Sequence, residues 1–355
     1  MKNLKLAAVC LSCLTMTGCS ALNFSVEGLI NAPKLTSEQS EIHQALIESV
    51  GSNITLKYPK NGEYRSAYVI ANIDDEPTDE AMVFYEYTSN GSEEDGLRVN
   101  ILDKDKNGKW YSVKELAGAG TDIDQVIISP MGSNNQTDVF VGYQNLTNDE
   151  KTMEIYSYTD GDFKRVALDT YSVLEPLDIN NDGYIELITI QRSTNNDTGA
   201  VTAKASMLNM KNNEITRGEN VDMCDNVTSY VSSKTGMLDS GRRAIFIDGL
   251  TADGKLQTEI IYYRYSGLQN PMQLRSEKLL PLCTRPAGYY SEDMDGDGDV
   301  EIPSTSPMVG YENAVADEML YMTTWSVYED FYDLKTKYTG YYLSLIHISE
   351  PTRPL

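Results

Sequence analysis

Two stretches carry most of the chemistry that the side chains of this 355-residue chain could perform. They are Asp178-Ile-Asn-Asn-Asp-Gly-Tyr-Ile-Glu186 and Asp293-Met-Asp-Gly-Asp-Gly-Asp-Val-Glu301. Each places oxygen donors at positions 1, 3 and 5, a glycine at 6 and a carboxylate at 9. In the first these are Asp178, Asn180, Asp182, Gly183 and Glu186; in the second, Asp293, Asp295, Asp297, Gly298 and Glu301. A hard cation wants six to eight oxygens at short range, and alternate residues of a tight loop can aim three side chains inward. The glycine lets the loop turn, and the carbonyl at position 7, Tyr184 or Asp299, is expected to add another oxygen. Magnesium would demand a stricter octahedron and keep more of its water, so Ca2+ is the expected cofactor. Asp, Asn and Gly also favour plain solvated turns, but without a cation the acidic side chains of the second loop would repel one another.

A helix–loop–helix calcium site would need a bidentate Glu at position 12. That position holds Thr189 in one stretch and Ser304 in the other, and Ile185 to Ile190 alternates as a strand does. The elements that position these loops are therefore expected to be strands. Short alternating runs recur at Ser66 to Ile73, Ala81 to Tyr87, Leu97 to Leu102 and Trp110 to Val113, with Asn107-Gly108 as a hairpin turn. A second set spans Gln125 to Ser129, Asp138 to Tyr143, Thr152 to Tyr158 and Phe163 to Leu168. Val173 to Leu177, Tyr184 to Gln191 and Val201 to Leu208 begin a third. Ala244 to Asp248 and Thr258 to Tyr265 belong to a fourth, and Ala287 to Ile302 opens a fifth. An acidic residue just before or inside the second strand recurs at Glu80, Asp138, Glu186, Glu259 and Glu301, roughly every 55 residues. The expected fold is all-β, a β-propeller of four-stranded blades with five or more visible over 64–342. One α-helix precedes it at 36–51, where Thr36 and Gln39 can form a capping box and Ile42, Ala45, Leu46 and Val50 share a face.

An acidic ninth position with a strand behind it resembles the calcium loops of integrin-type propeller repeats, the FG-GAP or VCBS family. The resemblance covers Ser66 to Tyr342, and the two loops at 178–186 and 293–301 match it closely. Asp74 to Glu80, Asn134 to Asp138 and Thr251 to Glu259 read as the same hairpin with ligands lost. Asp103-Lys-Asp-Lys-Asn-Gly108 has Tyr111 at position 9 and reads as a plain hairpin tip.

The chain ends are addresses and additions rather than fold. Lys2 and Lys5, the apolar run Leu6 to Leu14 and Met16-Thr-Gly-Cys19 resemble the signal and lipobox of bacterial lipoproteins. The resemblance implies a signal peptide over 1–18, lipidation at Cys19, a tether over 19–35 and an extracytoplasmic protein held on the bacterial membrane without a spanning helix. Leu343-Ser-Leu-Ile-His-Ile-Ser-Glu-Pro-Thr-Arg353 resembles a translated sequencing-library adapter, so 343–355 is set aside and the propeller is expected to be C-terminally incomplete. The ~320 residues left exceed what one compact core usually holds unless the architecture repeats.

A hydrophobic fraction of 41% with 24 tyrosines excludes disorder. A net charge of −24 argues against nucleic acid as a partner and suits divalent cations. Of five cysteines only Cys224 and Cys283 belong to the folded part, and they could form a disulfide or stand as two buried thiols.

Two function classes follow. One is a non-catalytic binding or scaffold module presenting loops to a glycan, a peptide or an envelope protein. The other is a propeller hydrolase or lyase acting on polysaccharide through paired carboxylates in a central cleft. Against the second, His43 is the one histidine once His347 is set aside, no Gly-x-Ser-x-Gly motif appears, and the clearest carboxylate clusters are committed to calcium. Arg242-Arg243, beside a strand start, reads as solvated charge.

Overall fold

The computed structural model describes residues 35–340 except 75, 89–95, 131–136, 146–149, 160–161, 195–200, 212–213, 239, 316–318 and 330–332. The leader, Cys19, the tether up to residue 34 and the adapter-like tail lie outside the described residues.

Strands dominate because the middle of each repeat is apolar on both sides of the pleat. In β7 (Thr137–Gln144), Val139, Val141 and Tyr143 enter one core cluster while Phe140 enters the next. In β15 (Arg243–Thr251), Ala244 and Phe246 face one way, Ile245 and Ile247 the other. A strand whose successive side chains point to opposite faces can be buried on both only when sheets stack on either side of it. Runs such as Glu-Leu-Ile-Thr-Ile and Ala-Ile-Phe-Ile therefore dictate stacked sheets rather than a sheet with one wet face.

Among the described residues five antiparallel sheets follow one another along the chain as separate blades, not rolled into a barrel. Blade 1 contains β1 (Ile54–Leu56), β2 (Tyr68–Ala71), β3 (Glu80–Tyr87), β4 (Leu97–Lys104) and β5 (Trp110–Ala117), with β1 and β2 both pairing β3. Blade 2 runs β6 (Asp122–Pro130), β7, β8 (Lys151–Thr159), β9 (Asp162–Tyr171). Blade 3 runs β10 (Val173–Leu177), β11 (Glu186–Thr194), β12 (Val201–Lys211), β13 (Glu214–Asp222). Blade 4 runs β14 (Val227–Met237), β15, β16 (Lys255–Arg264), β17 (Gly267–Gln269), and β18 (Thr284–Pro286) adds to β16. Blade 5 contains β19 (Ile302–Pro307), β20 (Tyr321–Glu329) and β21 (Asp333–Gly340). Apart from β1, which skips β2 to pair β3, and β18, which returns to β16, each sheet is a meander in chain order, which is the propeller-blade pattern.

The predicted helix is α1 (Ser37–Val50), with both hydrogen bonds of the Thr36–Gln39 capping box formed. Its buried face, Ile42, Ala45 and Leu46, packs on Tyr68, Val83, Tyr85 and Trp110 of blade 1. His43 is a packing residue whose Nδ1 lies 2.8 Å from the Tyr68 hydroxyl. Two further helices, α2 (Pro271–Leu274) and α3 (Ser276–Cys283), are interposed between β17 and β18. Met272 and Leu279 of these helices join Phe246, Val300 and Tyr328 in the core between blades 4 and 5. Among the described residues no helix is long and apolar enough to cross a membrane.

The structure decides between two alternatives for the cysteines and corrects two expectations about the strands. Cys224 and Cys283 are not bridged; both are free, buried thiols in the same apolar cluster. Glu259 lies in β16, the third strand of blade 4 and not the second, because the inner strand β14 is polar and carries no apolar alternation. The fifth blade does not begin with a strand at Ala287; Glu292 and Glu301 form an isolated bridge and the first full strand begins at Ile302.

Candidate functional site

The first acidic loop closes the hairpin from β10 to β11, whose last register pair is Leu177 with Glu186. Its conformation is written by its own side chains. Asp178 accepts the N–H groups of Asp182 (3.0 Å) and Gly183 (3.2 Å), and Asn180 Oδ1 accepts that of Asp182 (2.8 Å). Asn181 and Gly183 take the left-handed conformation, φ 60° and 93°, which asparagine and glycine adopt most easily. Glu186 is buried; it accepts the Ile179 N–H at 3.2 Å and the Asn180 amide at 2.9 Å. Asp178, Asn180, Asp182 and Glu186 are thus drawn to one side of the loop. Burial, with the charges of Asp182 and Asp178 behind it, pushes the Glu186 carboxyl up to about 7 against the hydrogen bonds that favour its charged form.

The second loop repeats the frame. Asp293 accepts from Gly296 (2.7 Å) and Gly298 (2.9 Å), Asp295 from the Asp297 N–H (3.3 Å), and fully buried Glu301 from the Met294 N–H (2.8 Å). Gly296 and Gly298 have φ 78° and 95°, matching positions 4 and 6 of the first loop. One carboxylate oxygen from each of Asp293, Asp295 and Asp297 lies within 4.8 Å of the others. At position 7, Tyr184 and Asp299 donate their own N–H to the fifth-position carboxylate, at 2.9 and 3.0 Å. An all-oxygen set with a buried carboxylate at its base fits a hard divalent ion.

Both loops are met by a cation that the spacing did not reveal. Arg243, at the start of β15, reaches Asp178 with Nη1 3.2 Å from the carboxylate while its side chain stays 40% exposed, so the solvated charge expected there also makes an ion pair. Lys337, on β21, enters the second loop with Nζ 3.3 Å from Asp295, 2.5 Å from Asp297 and 2.7 Å from Glu301. The expected mutual repulsion in that loop is therefore relieved from within the chain.

The stretch at 72–80 keeps more of the pattern than its sequence suggested. Glu80 Oε2 accepts the Ile73 N–H (2.8 Å) and Asp74 accepts the Glu76 N–H (2.7 Å), so Asn72, Asp74, Glu76 and Glu80 occupy the places of positions 1, 3, 5 and 9. Pro77 stands where the other loops have glycine. Glu259 follows a different plan, accepting from the Cys224 N–H (2.8 Å) and the Asn270 amide (2.7 Å). Around Asp105, a turn closed by the Asn107 and Lys109 N–H groups confirms a plain hairpin tip.

A feature the sequence did not mark lies where the inner strands of blades 2, 3 and 4 face one another. β6, β10, β14 and the segment 61–65 enclose a cleft of about 700 Å³. Asp124 of β6 is buried there, bonded to Lys151 (2.9 Å), Asn61 (2.8 Å) and the Tyr171 hydroxyl (2.7 Å). Burial opposes its charge, yet Lys151, Tyr171 and Asn61 hold its carboxyl below the usual range. Glu175 of β10 is half-buried, and burial raises its carboxyl although the Ser233 hydroxyl donates to it. These residues sit on three strands about 50 positions apart, so their only local signal was the alternation of Asp122-Ile-Asp124.

Neither a protein-family model nor a curated protein matches the chain. Among solved structures, a putative 6-phosphogluconolactonase from Bacteroides fragilis is similar at 10% identity and TM-score 0.34, covering 81% of each chain. The periplasmic gluconolactonase of Pseudomonas aeruginosa is similar at 9% identity and TM-score 0.29, covering 80% of this chain and 88% of its own. A rhamnogalacturonan lyase is similar at 9% identity and TM-score 0.35, covering 78% of this chain and 66% of its own. The blade architecture of this chain rests on its own strand order, and it is an all-β, propeller-type fold.

Proposed function

We propose that this chain is an extracytoplasmic propeller lipoprotein, anchored through Cys19, braced by calcium at two blade hairpins and acting as a non-catalytic binding or scaffold module. The observation that carries the calcium part is the shared frame of the two loops. In both, a buried ninth-position carboxylate is fixed by a backbone N–H at the second position and the first-position carboxylate accepts N–H groups of the loop, and in the second loop the first-, third- and fifth-position carboxylates also come within 4.8 Å of one another. Asp178, Asn180, Asp182 and Glu186 would hold one ion, and Asp293, Asp295, Asp297 and Glu301 the other, with the carbonyls of Tyr184 and Asp299 as further donors. A bound ion supplies charge neutralisation and ties the start of one strand to the loop before it; the chain's own residues shape the loop. A site of ~10⁻⁴ M affinity in millimolar calcium stabilises by about 1.4 kcal/mol, enough to brace a blade but not to create one.

The test is thermal melting of the purified protein with EDTA and with millimolar calcium. Calcium should raise the midpoint by several degrees and EDTA should reverse it; coincident curves would sink the calcium reading. Replacing Cys19 with Ala should release the protein from membranes, and retention would sink the anchor.

One observation favours a second reading, a polysaccharide hydrolase or lyase. Two carboxylates in the central cleft are pushed in opposite directions, Asp124 toward the charged form and Glu175 toward the protonated one, as an acid–base pair requires. It stands second because Asp124 is fully engaged by Asn61, Lys151 and Tyr171. Release of reducing ends or unsaturated products that Glu175→Gln abolishes would place it first.

A further inference from the structure

One cross-strand pair of blade 4 is held by both acidic loops. Met237, the last residue of β14, pairs with Arg243, the first of β15. The Arg243 guanidinium reaches the first loop, with Nη1 3.2 Å from both the carbonyl and the carboxylate of Asp178. The Met237 N–H donates to the Gly298 carbonyl of the second loop at 2.9 Å, and Met237 forms a parallel bridge with Asp299. This second contact is built closely. Val300, the eighth position of the loop, is 2% exposed and packs into the core between blades 4 and 5. Opposite it stands Gly236, where a Cβ would come within 2.5 Å of Val300 Cγ2 and 3.2 Å of the Gly298 carbonyl oxygen. Gly236 has no left-handed backbone to accommodate, so what excludes a side chain there is the approach of the loop.

β14 carries that contact to the central cleft. Tyr230, Ser232, Ser233, Lys234 and Thr235 line the cleft, and Thr235 is two residues from Met237, about 7 Å along a strand. Within its sheet β14 is an edge strand, and its ladder to β15 shifts register between Val227 and Ser229 and again between Tyr230 and Ser232. Such irregularities disrupt a ladder locally, so the position of this strand depends on what holds its end. The loop that holds it has two conditions. Without a divalent ion, the ammonium of Lys337 meets Asp295, Asp297 and Glu301, and with Asp293 beside them the loop keeps an excess of negative charge that favours opening. An ion removes that excess and binds the ordered loop in preference to the open one, which stabilises it by mass action.

We infer that the second acidic loop is a clasp on β14: a divalent cation held there fixes Gly298 and Asp299 against Met237 and so sets the strand that lines the central cleft. The coupling is reciprocal, because whatever pushes β14 off the loop must weaken the cation by the same factor. This deepens the calcium reading and rests on it for the ion, whereas the contact between Met237 and Gly298 belongs to the chain itself.

The test is hydrogen exchange of the full chain at residues 230–237, in EDTA and in millimolar calcium, with terbium luminescence to report occupancy. Calcium should slow exchange there about tenfold. Asp295→Asn with Asp297→Asn, in the second loop, should abolish the slowing, and Asp182→Asn, in the first, should leave it. In an Asp182→Asn background, where terbium reads the second loop, Gly236→Ala should bind the ion several-fold more weakly. Exchange at 230–237 that ignores calcium while terbium shows the second loop occupied would overturn the clasp and leave the calcium reading standing. An unchanged terbium affinity in Gly236→Ala would overturn it too. If terbium finds no site, the calcium reading fails and Lys337→Met in EDTA decides the clasp by itself. Faster exchange at 230–237 in that variant supports the clasp, and acceleration confined to 293–301 overturns it.

Discussion

Replacing Lys337 with methionine separates the two cations that the second loop can use. Methionine keeps most of the stem and removes the ammonium. Lys337 touches three carboxylates, but they do not count equally. Asp295 and Asp297 are half-exposed, and pairs of that kind contribute little. Glu301 is fully buried, and its second oxygen meets Lys337 at 2.7 Å while the first takes the Met294 N–H. Removing the ammonium leaves that oxygen unpaired out of water, at about 1–3 kcal/mol. For a chain of this size that is roughly 2–5 °C in melting temperature when calcium is absent. The effect should reverse in sign on the ion. Calcium must displace or share the contacts that Lys337 holds, and a charged hydrogen bond of about 1.5–3 kcal/mol is the barrier to doing so. Lys337→Met should therefore bind calcium at the second loop about tenfold tighter or more, and saturating calcium should restore most of the lost melting temperature. The assay is paired melting in EDTA and calcium, with terbium luminescence for affinity. A melting temperature unchanged in EDTA would refute the role of Lys337. A loss that calcium cannot repair would refute the loop as a calcium site.

Glu259 supplies a pH test. Burial raises its carboxyl although Asn270 and Cys224 donate to it. Its stability contribution is therefore fully present below the ordinary glutamate value and is lost as pH rises through the raised one. Glu259→Gln keeps the two bonds accepted by Oε2 and should melt near the wild type at pH 4 but progressively higher toward pH 8; parallel pH profiles would contradict this. The fully buried pair Arg285–Asp248, 2.7 Å apart and tied to the Ser291 N–H, joins β15, β18 and the loop before the second acidic stretch. Arg285→Met strands Asp248 and should cost about 3–5 kcal/mol in denaturant unfolding, and a loss below 1 kcal/mol would show that the pair is dispensable. Leu46→Ala empties the α1 docking site and should cost about 2–5 kcal/mol if α1 unfolds with blade 1. Faster hydrogen exchange confined to α1 would show instead that the helix is a separate, weaker unit.

What could be read directly was what is local. The capping box needs only Thr36 and Gln39, three residues apart, and the acidic loops need only nine consecutive residues, because each loop folds on its own side-chain-to-backbone bonds. Alternation placed most of the central strands within a few residues of their observed limits, since strands buried on both faces are apolar at every step. It missed β1, β13, β14, β17, β18, β20 and β21, all of β19 beyond Ile302, and the helices α2 and α3. β14 lines a polar cleft and so has no apolar face to announce it. The same cause moved Glu259 from the second strand to the third.

The sequence by itself thus determined the repeat, the helix that covers its first blade and the oxygen pattern of the loops. Tertiary structure alone decided what those loops and the cleft face. Lys337 is 36 residues from Glu301, Arg243 is 65 from Asp178, and Tyr171 is 47 from Asp124. Tertiary structure also settled that Cys224 and Cys283 share a core cluster without bonding. Contacts of this kind arise because stacked blades bring strands about 50 residues apart side by side, and no spacing along the chain encodes which side chains meet there.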